Sequence, residues 1–133
     1  MNTFKGFKEF IDEDISRVEL KFAEKLADQW FSKYGIDIEF TKHFLDRLND
    51  RRNNPQIKLE ELIDMFKKSA DRVGKDLSIE YDIIQAVLKD AATELNIPFV
   101  LEPDPDPREK TKFISKTIMR KDDFKTSNKI YTV

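Results

Sequence analysis

The sequence predicts an α+β domain: an N-terminal helix, then β-α-α-β-β-β-β, with an antiparallel sheet carrying its helices on one face. Three observations predict it. Apolar residues recur at three- and four-residue spacing after Ser16 and again after Leu59. Ile36-Asp37-Ile38-Glu39-Phe40 alternates strictly, as a strand with one buried face does. The chain then ends in several consecutive β-forming runs, which argues for helices segregated to one side of an antiparallel sheet.

Composition sets the outer bounds. The 133 residues are 38% charged and 39% apolar, a balance that supports a core and argues against wholesale disorder. Net charge is −2, yet residues 108–133 alone carry eight Lys/Arg against three Asp/Glu. A basic end on an acidic body points to local anion binding. The absence of cysteine excludes disulfides, thiolate catalysis and Cys-based zinc sites. The single histidine excludes a multi-His metal site, and no pattern asks for a cofactor. No apolar run approaches the roughly 20 residues of a membrane span, so no membrane partner is expected.

Residues 1–13 place Phe7, Phe10 and Ile11 at helical spacing. The Met-x-Thr-aromatic start and the Glu9-Phe10-Ile11 run resemble the head-targeting leaders of internal proteins in T-even-type bacteriophages. Ile11-Asp12-Glu13 fits the aliphatic-x-Glu form of their cleavage site. The resemblance implies a mature protein starting at Asp14, made in the host cytoplasm and packaged in a phage head. A short helix docking on its own domain reads equally well. Residues 14–133 form the single α+β domain.

Ser16 followed by Glu19 is a capping-box signature. Phe22, Ala23, Leu26, Ala27, Trp30, Phe31 and Tyr34 then form an apolar stripe, and Gly35 supplies the stop, predicting a helix over 17–34. After the strand 36–40, Thr41 can cap a short helix whose apolar stripe is Phe44, Leu45 and Leu48. Asn53-Asn54-Pro55 ends it. Leu59, Leu62, Ile63, Phe66, Ala70 and Val73 mark the next helix, with Gly74 as its stop. Residues 79–95 fit one helix, but strands at 86–90 and 94–101 around a turn at 91–93 fit better. In that reading Pro98 needs a position where its missing N–H is not required. Pro103-Asp104-Pro105-Asp106-Pro107 reads as an extended hairpin loop. Residues 112–120 follow as a strand with Phe113, Ser115, Thr117 and Met119 on one face and Ile114, Lys116, Ile118 and Arg120 on the other. Residues 129–133 form a last short strand.

Chemistry concentrates in a cationic set. His43, Arg47 and Arg51 recur every four residues, a stripe suited to phosphate although like charges so placed cost an isolated helix roughly 0.2–0.5 kcal/mol. A solvated face with Asp46 and Asp50 as ion-pair partners is the other reading. Lys116, Arg120 and Tyr131 complete the set near the C-terminus. RNA cleavage by its own 2′-oxygen needs a proton carrier and cations for the developing charge, and no metal. The set meets that need, and it meets simple phosphate binding equally well.

The element order, with paired helices after the first strand, basic residues on later strands and a terminal strand bearing Tyr, resembles the RelE-type toxin ribonuclease superfamily. The Thr41-Lys42-His43…Arg47…Arg51 pattern is similar to a related group of small toxin-like proteins. The resemblance implies catalytic roles for His43, Lys116 and Tyr131, and phosphate-binding roles for Arg47, Arg51 and Arg120. It implies RNA or another nucleic acid as partner, and a protein antidote or phage-head component as a second one. Three functions follow as expectations: a metal-independent endoribonuclease or toxin-like effector; a non-catalytic internal or accessory phage protein that binds nucleic acid or a partner; and a small domain whose basic end docks on an acidic protein.

Overall fold

The computed structural model describes residues 14–133. The leader-like reading of residues 1–13 lies outside them. Helix α1 spans Arg17–Ser32 and opens on the expected capping box. The Ser16 side chain accepts the Glu19 N–H at 3.1 Å, and the Glu19 carboxylate accepts the Ser16 N–H at 2.8 Å. Gly35, at φ +70°, turns the chain into β1 (Ile36–Phe40). The buried face of α1 is Leu20, Ala23, Ala27 and Phe31, whereas Phe22 is 55% exposed and drops out of the predicted stripe.

Helix α2 (Lys42–Leu48) follows, burying Phe44 and Leu48. Its N-cap, Thr41, makes no side-chain capping bond. A turn containing a cis Asn54–Pro55 bond leads to α3 (Leu59–Ser78). Gly74 does not stop this helix. It is a notch for a neighbour: a Cβ there would overlap the ring of Tyr34. The remaining elements are β2 (Ile84–Asp90), β3 (Leu95–Glu102), β4 (Thr111–Ser115), β5 (Met119–Arg120) and β6 (Lys129–Thr132). The two-strand reading of residues 84–102 therefore holds, and the single-helix alternative does not.

The sheet runs β1-β4-β3-β2-β6, with β5 also pairing β3. It is mixed, which corrects the antiparallel expectation. Hairpin connections, a short turn and the 103–110 loop, make β2–β3 and β3–β4 antiparallel, but β1 meets β4 parallel and β6 meets β2 parallel. Both parallel pairs join strands remote in sequence, where no hairpin sets direction. One face of the sheet packs on α1 and α3. Phe113 of β4 lies 6.4 Å from the Phe31 ring and 5.8 Å from Phe66, and stacks on Phe99 at 4.1 Å.

The outer edge of β1 is closed by side chains of α1. Asp28 Oδ1 accepts the Ile38 N–H at 2.6 Å, and Glu24 Oε2 accepts the Phe40 N–H at 2.8 Å. An edge strand's outward N–H groups are thus satisfied without a further strand. Burial pushes the Asp28 carboxyl up to about 6 against the Ile38 hydrogen bond, with Asp37 and Glu24 adding repulsion.

Residues 112–120 are not one regular strand. Val100 pairs with Ile114, but Asn96 pairs with Met119, so Lys116 and Thr117 both lie opposite Pro98. This is a β-bulge, and its cause is the proline: Pro98 cannot donate to the ladder, and the partner strand buckles beside it. Ser115 Oγ fills the gap, lying 2.7 Å from the Pro98 carbonyl and 2.9 Å from that of Thr117. One extra residue inverts side-chain parity beyond it. Ile118 is consequently 2% exposed and Arg120 turns toward α3, contrary to the alternation predicted from 112 onward.

Candidate functional site

The bulge and the end of α2 enclose a highly charged depression. It is a cleft of about 370 Å³ lined by Arg47 and Asp50, by Arg52 and Asn53 of the following turn, and by residues 117–121. Parallel pairing of β1 with β4 creates it. The Thr41 N–H donates to the Ser115 carbonyl at 3.0 Å, so α2 begins where β4 ends and runs alongside the bulge. Asn53 then joins the two walls. Its Nδ2 donates to the Arg47 carbonyl at 2.9 Å, and its Oδ1 accepts the Arg120 N–H at 2.9 Å.

Four cationic side chains border the cleft, in different states. Arg120 is committed. Its side chain is 7% exposed. Nε donates to the Pro55 carbonyl at 2.9 Å, Nη1 to the Thr93 carbonyl at 2.7 Å and to Glu61 Oε2 at 3.2 Å, and Nη2 to Glu61 Oε1 at 2.7 Å and to the Gln56 carbonyl at 3.3 Å. A guanidinium has five N–H donors, and all are used. Burial disfavours the Glu61 charge, but hydrogen bonds from Arg120 and the Lys58 N–H outweigh it and hold that carboxyl below the usual range. Arg52 makes a bidentate, exposed pair with Asp50, at 3.1 and 2.8 Å. Those hydrogen bonds keep the Asp50 carboxyl well below the ordinary carboxylate range. Arg47 and Lys121 are exposed and have no ion-pair partner among the described residues.

No protein-family model, curated protein or solved structure matches the chain. Arg47 and Arg120, both taken from the sequence as phosphate ligands, do meet at one cleft, but Arg120 has no donor left for a phosphate. Lys116 is exposed at the bulge, next to the cleft-lining Thr117. His43 is exposed on α2, one helical turn before Arg47. Arg51 fails the spacing argument because α2 ends at Leu48, so Arg51 sits in the turn and does not line the cleft.

Tyr131 does not join the site. It lies on β6, at the opposite edge of the sheet from β1 and the helix that follows it. Four strand spacings, about 19 Å in all, separate these edges. The ring is packed 6.3 Å from Phe99 and under the Lys129 ammonium, and its hydroxyl is buried. The expected single surface joining the lone imidazole to the terminal tyrosine is not formed.

Arg52, Asn53, Thr117 and Lys121 were missed by sequence reasoning. Pro98 was the available signal for the last two: a proline in a central strand requires a bulge beside it, and a bulge moves the following side chains to the other face. Among the described residues no three His, Asp or Glu side chains gather as metal ligands, and no helix is long and apolar enough to cross a membrane.

Proposed function

We propose that the chain is a RelE-like domain that binds the phosphate backbone of RNA in the cleft between α2 and β5. The observation that carries this reading is the convergence of Arg47, Arg52 and Lys121 on one 370 Å³ concavity beside a single acidic group, Asp50. The helix pair after β1 and the basic residues around β4 and β5 support the RelE-like part. Arginine forks suit phosphate oxygens, and Arg52 already holds a carboxylate bidentately, the geometry a phosphate would take over. Binding of a single-stranded RNA oligonucleotide, followed by fluorescence anisotropy over a salt series, tests it. Three neutralised phosphates give a slope of log K against log salt of about −2. Salt-independent binding, or none at low salt, contradicts the proposal.

One observation favours a second reading, metal-independent RNA cleavage: His43 stands exposed on the same helix as Arg47. In that step the neutral imidazole takes the 2′-hydroxyl proton while the 2′-oxygen forms its bond to phosphorus. The P–O5′ bond breaks, and water protonates the departing 5′-oxygen. Tyr131 has no part in it. Cleavage in EDTA that is lost in His43→Ala supports this reading, and intact RNA at high protein concentration removes it. The leader-like N-terminus supports a phage-head location. An N-terminus at Asp14 in virion-derived protein is the corresponding expectation, and Met1 alone would discard it.

A further inference from the structure

A second depression lies on the other side of α2, where α1 meets the β1–α2 junction. Its volume is about 140 Å³, the scale of one aliphatic side chain. Leu20, Phe40 and Leu45 line it together with the cations Arg17, Lys21 and Lys42. Glu24 also borders it, but its carboxylate already accepts the Phe40 N–H, and its contact with Lys21 is long at 3.6 Å. Thr41 is a further lining residue, and its buried Oγ1 has no hydrogen-bond partner among the described residues. Along α1, Arg17, Lys21 and Lys25 form a row four residues apart. That row separates this pocket from a pair of outward-facing apolar side chains, Val18 at 78% and Phe22 at 55% exposure.

We infer that this face of α1 docks an acidic, amphipathic peptide segment of a partner protein, with one apolar side chain seated in the pocket. Three points select that occupant. The pocket accepts a single aliphatic group, the cation row accepts carboxylates beside it, and Val18 and Phe22 offer a second apolar contact on the far side of that row. A single nucleic-acid strand would use the cations and could stack a base on Phe22, but it carries no aliphatic side chain to seat between Leu20, Phe40 and Leu45. An amphipathic helix uses both, through apolar anchors spaced as they are in α1 itself. The inference does not depend on the RNA-binding reading, because the two sites share no lining residue.

The test is amide chemical-shift mapping of the full chain titrated with a synthetic amphipathic peptide of leucine and glutamate. Three comparison probes are used: the same peptide with lysine for glutamate, oligo-glutamate, and a single-stranded RNA oligonucleotide. The leucine–glutamate peptide is expected to move amides in 17–25 and 40–45. The exposed double variant Arg17→Glu/Lys42→Glu weakens that binding by about tenfold or more and turns preference toward the lysine peptide. Arg47→Ala leaves it unchanged. Equal response to oligo-glutamate, shifts mapping elsewhere, or RNA moving these same amides overturns the inference.

Discussion

Arg47 and Arg120 border the same cleft and could hardly differ more. Arg120 is buried, and all five of its donors are spent on Glu61 and three backbone carbonyls. It ties β5 to the turn before α3, to the first turn of α3 and to the β2–β3 turn. Arg47 is exposed and its side chain makes no hydrogen bond or ion pair among the described residues, while its carbonyl helps fix Asn53. The same residue type at one site therefore does two jobs. Burial with satisfied donors makes one a structural clamp, and exposure beside other cations leaves the other available to an anion.

That contrast can be broken from either side. The largest effect is expected for Arg120→Met. It strands the partly buried Glu61 carboxylate and should cost about 3–5 kcal/mol in denaturant unfolding, with Glu61→Leu recovering part of the loss in the double variant. A loss below about 1 kcal/mol would make Arg120 an ordinary surface cation. Arg47→Ala should leave stability within about 0.5 kcal/mol while making the RNA salt slope shallower by about 0.7. Equal damage to stability from both substitutions would erase the distinction.

A smaller effect sharpens the same comparison among carboxylates. Glu61 has a cation over it and is held low, whereas Asp28 has none and is pushed up to about 6. An acid whose folded pKa exceeds its unfolded value near 3.8 favours the native state more as pH falls. Stability should therefore gain on going from about pH 7 to about pH 4, by about 1 kcal/mol after discounting for partial exposure. Asp28→Asn should flatten that rise. A variant whose profile still climbs by the same amount assigns the effect elsewhere. The Glu61 contribution has the opposite sign: present above its unfolded pKa, it is lost as pH falls through its lowered folded value.

Local signals carried most of the fold. Ser16 and Glu19 marked the start of α1, strict alternation marked β1, and the proline run marked the β3–β4 hairpin, because each depends on neighbours in sequence. What was illegible depended on remote partners. Gly74 looked like a helix stop because the Tyr34 ring that fills its notch comes from the turn after α1, 40 residues earlier in the chain. Arg120 looked like a phosphate ligand because Glu61 lies far along the chain. Tyr131 looked catalytic because sequence does not say that β6 closes the sheet at the far edge. The α2 cations were legible, but the four-residue spacing carried Arg51 past the actual end of the helix. The bulge lay between these cases: Pro98 marked a place where a ladder N–H is missing, but the inverted alternation after 115 arises on the partner strand.

The claim that the cleft is a phosphate site rests on the free cations of α2 and the bulge, not on Arg120. The most direct test is the salt dependence of RNA affinity for the wild-type chain and the Arg47→Ala/Lys121→Ala variant, measured on proteins of equal thermal stability. The account predicts a wild-type slope of about −2 that falls by more than half in the variant. Superimposable slopes for the two proteins would contradict it.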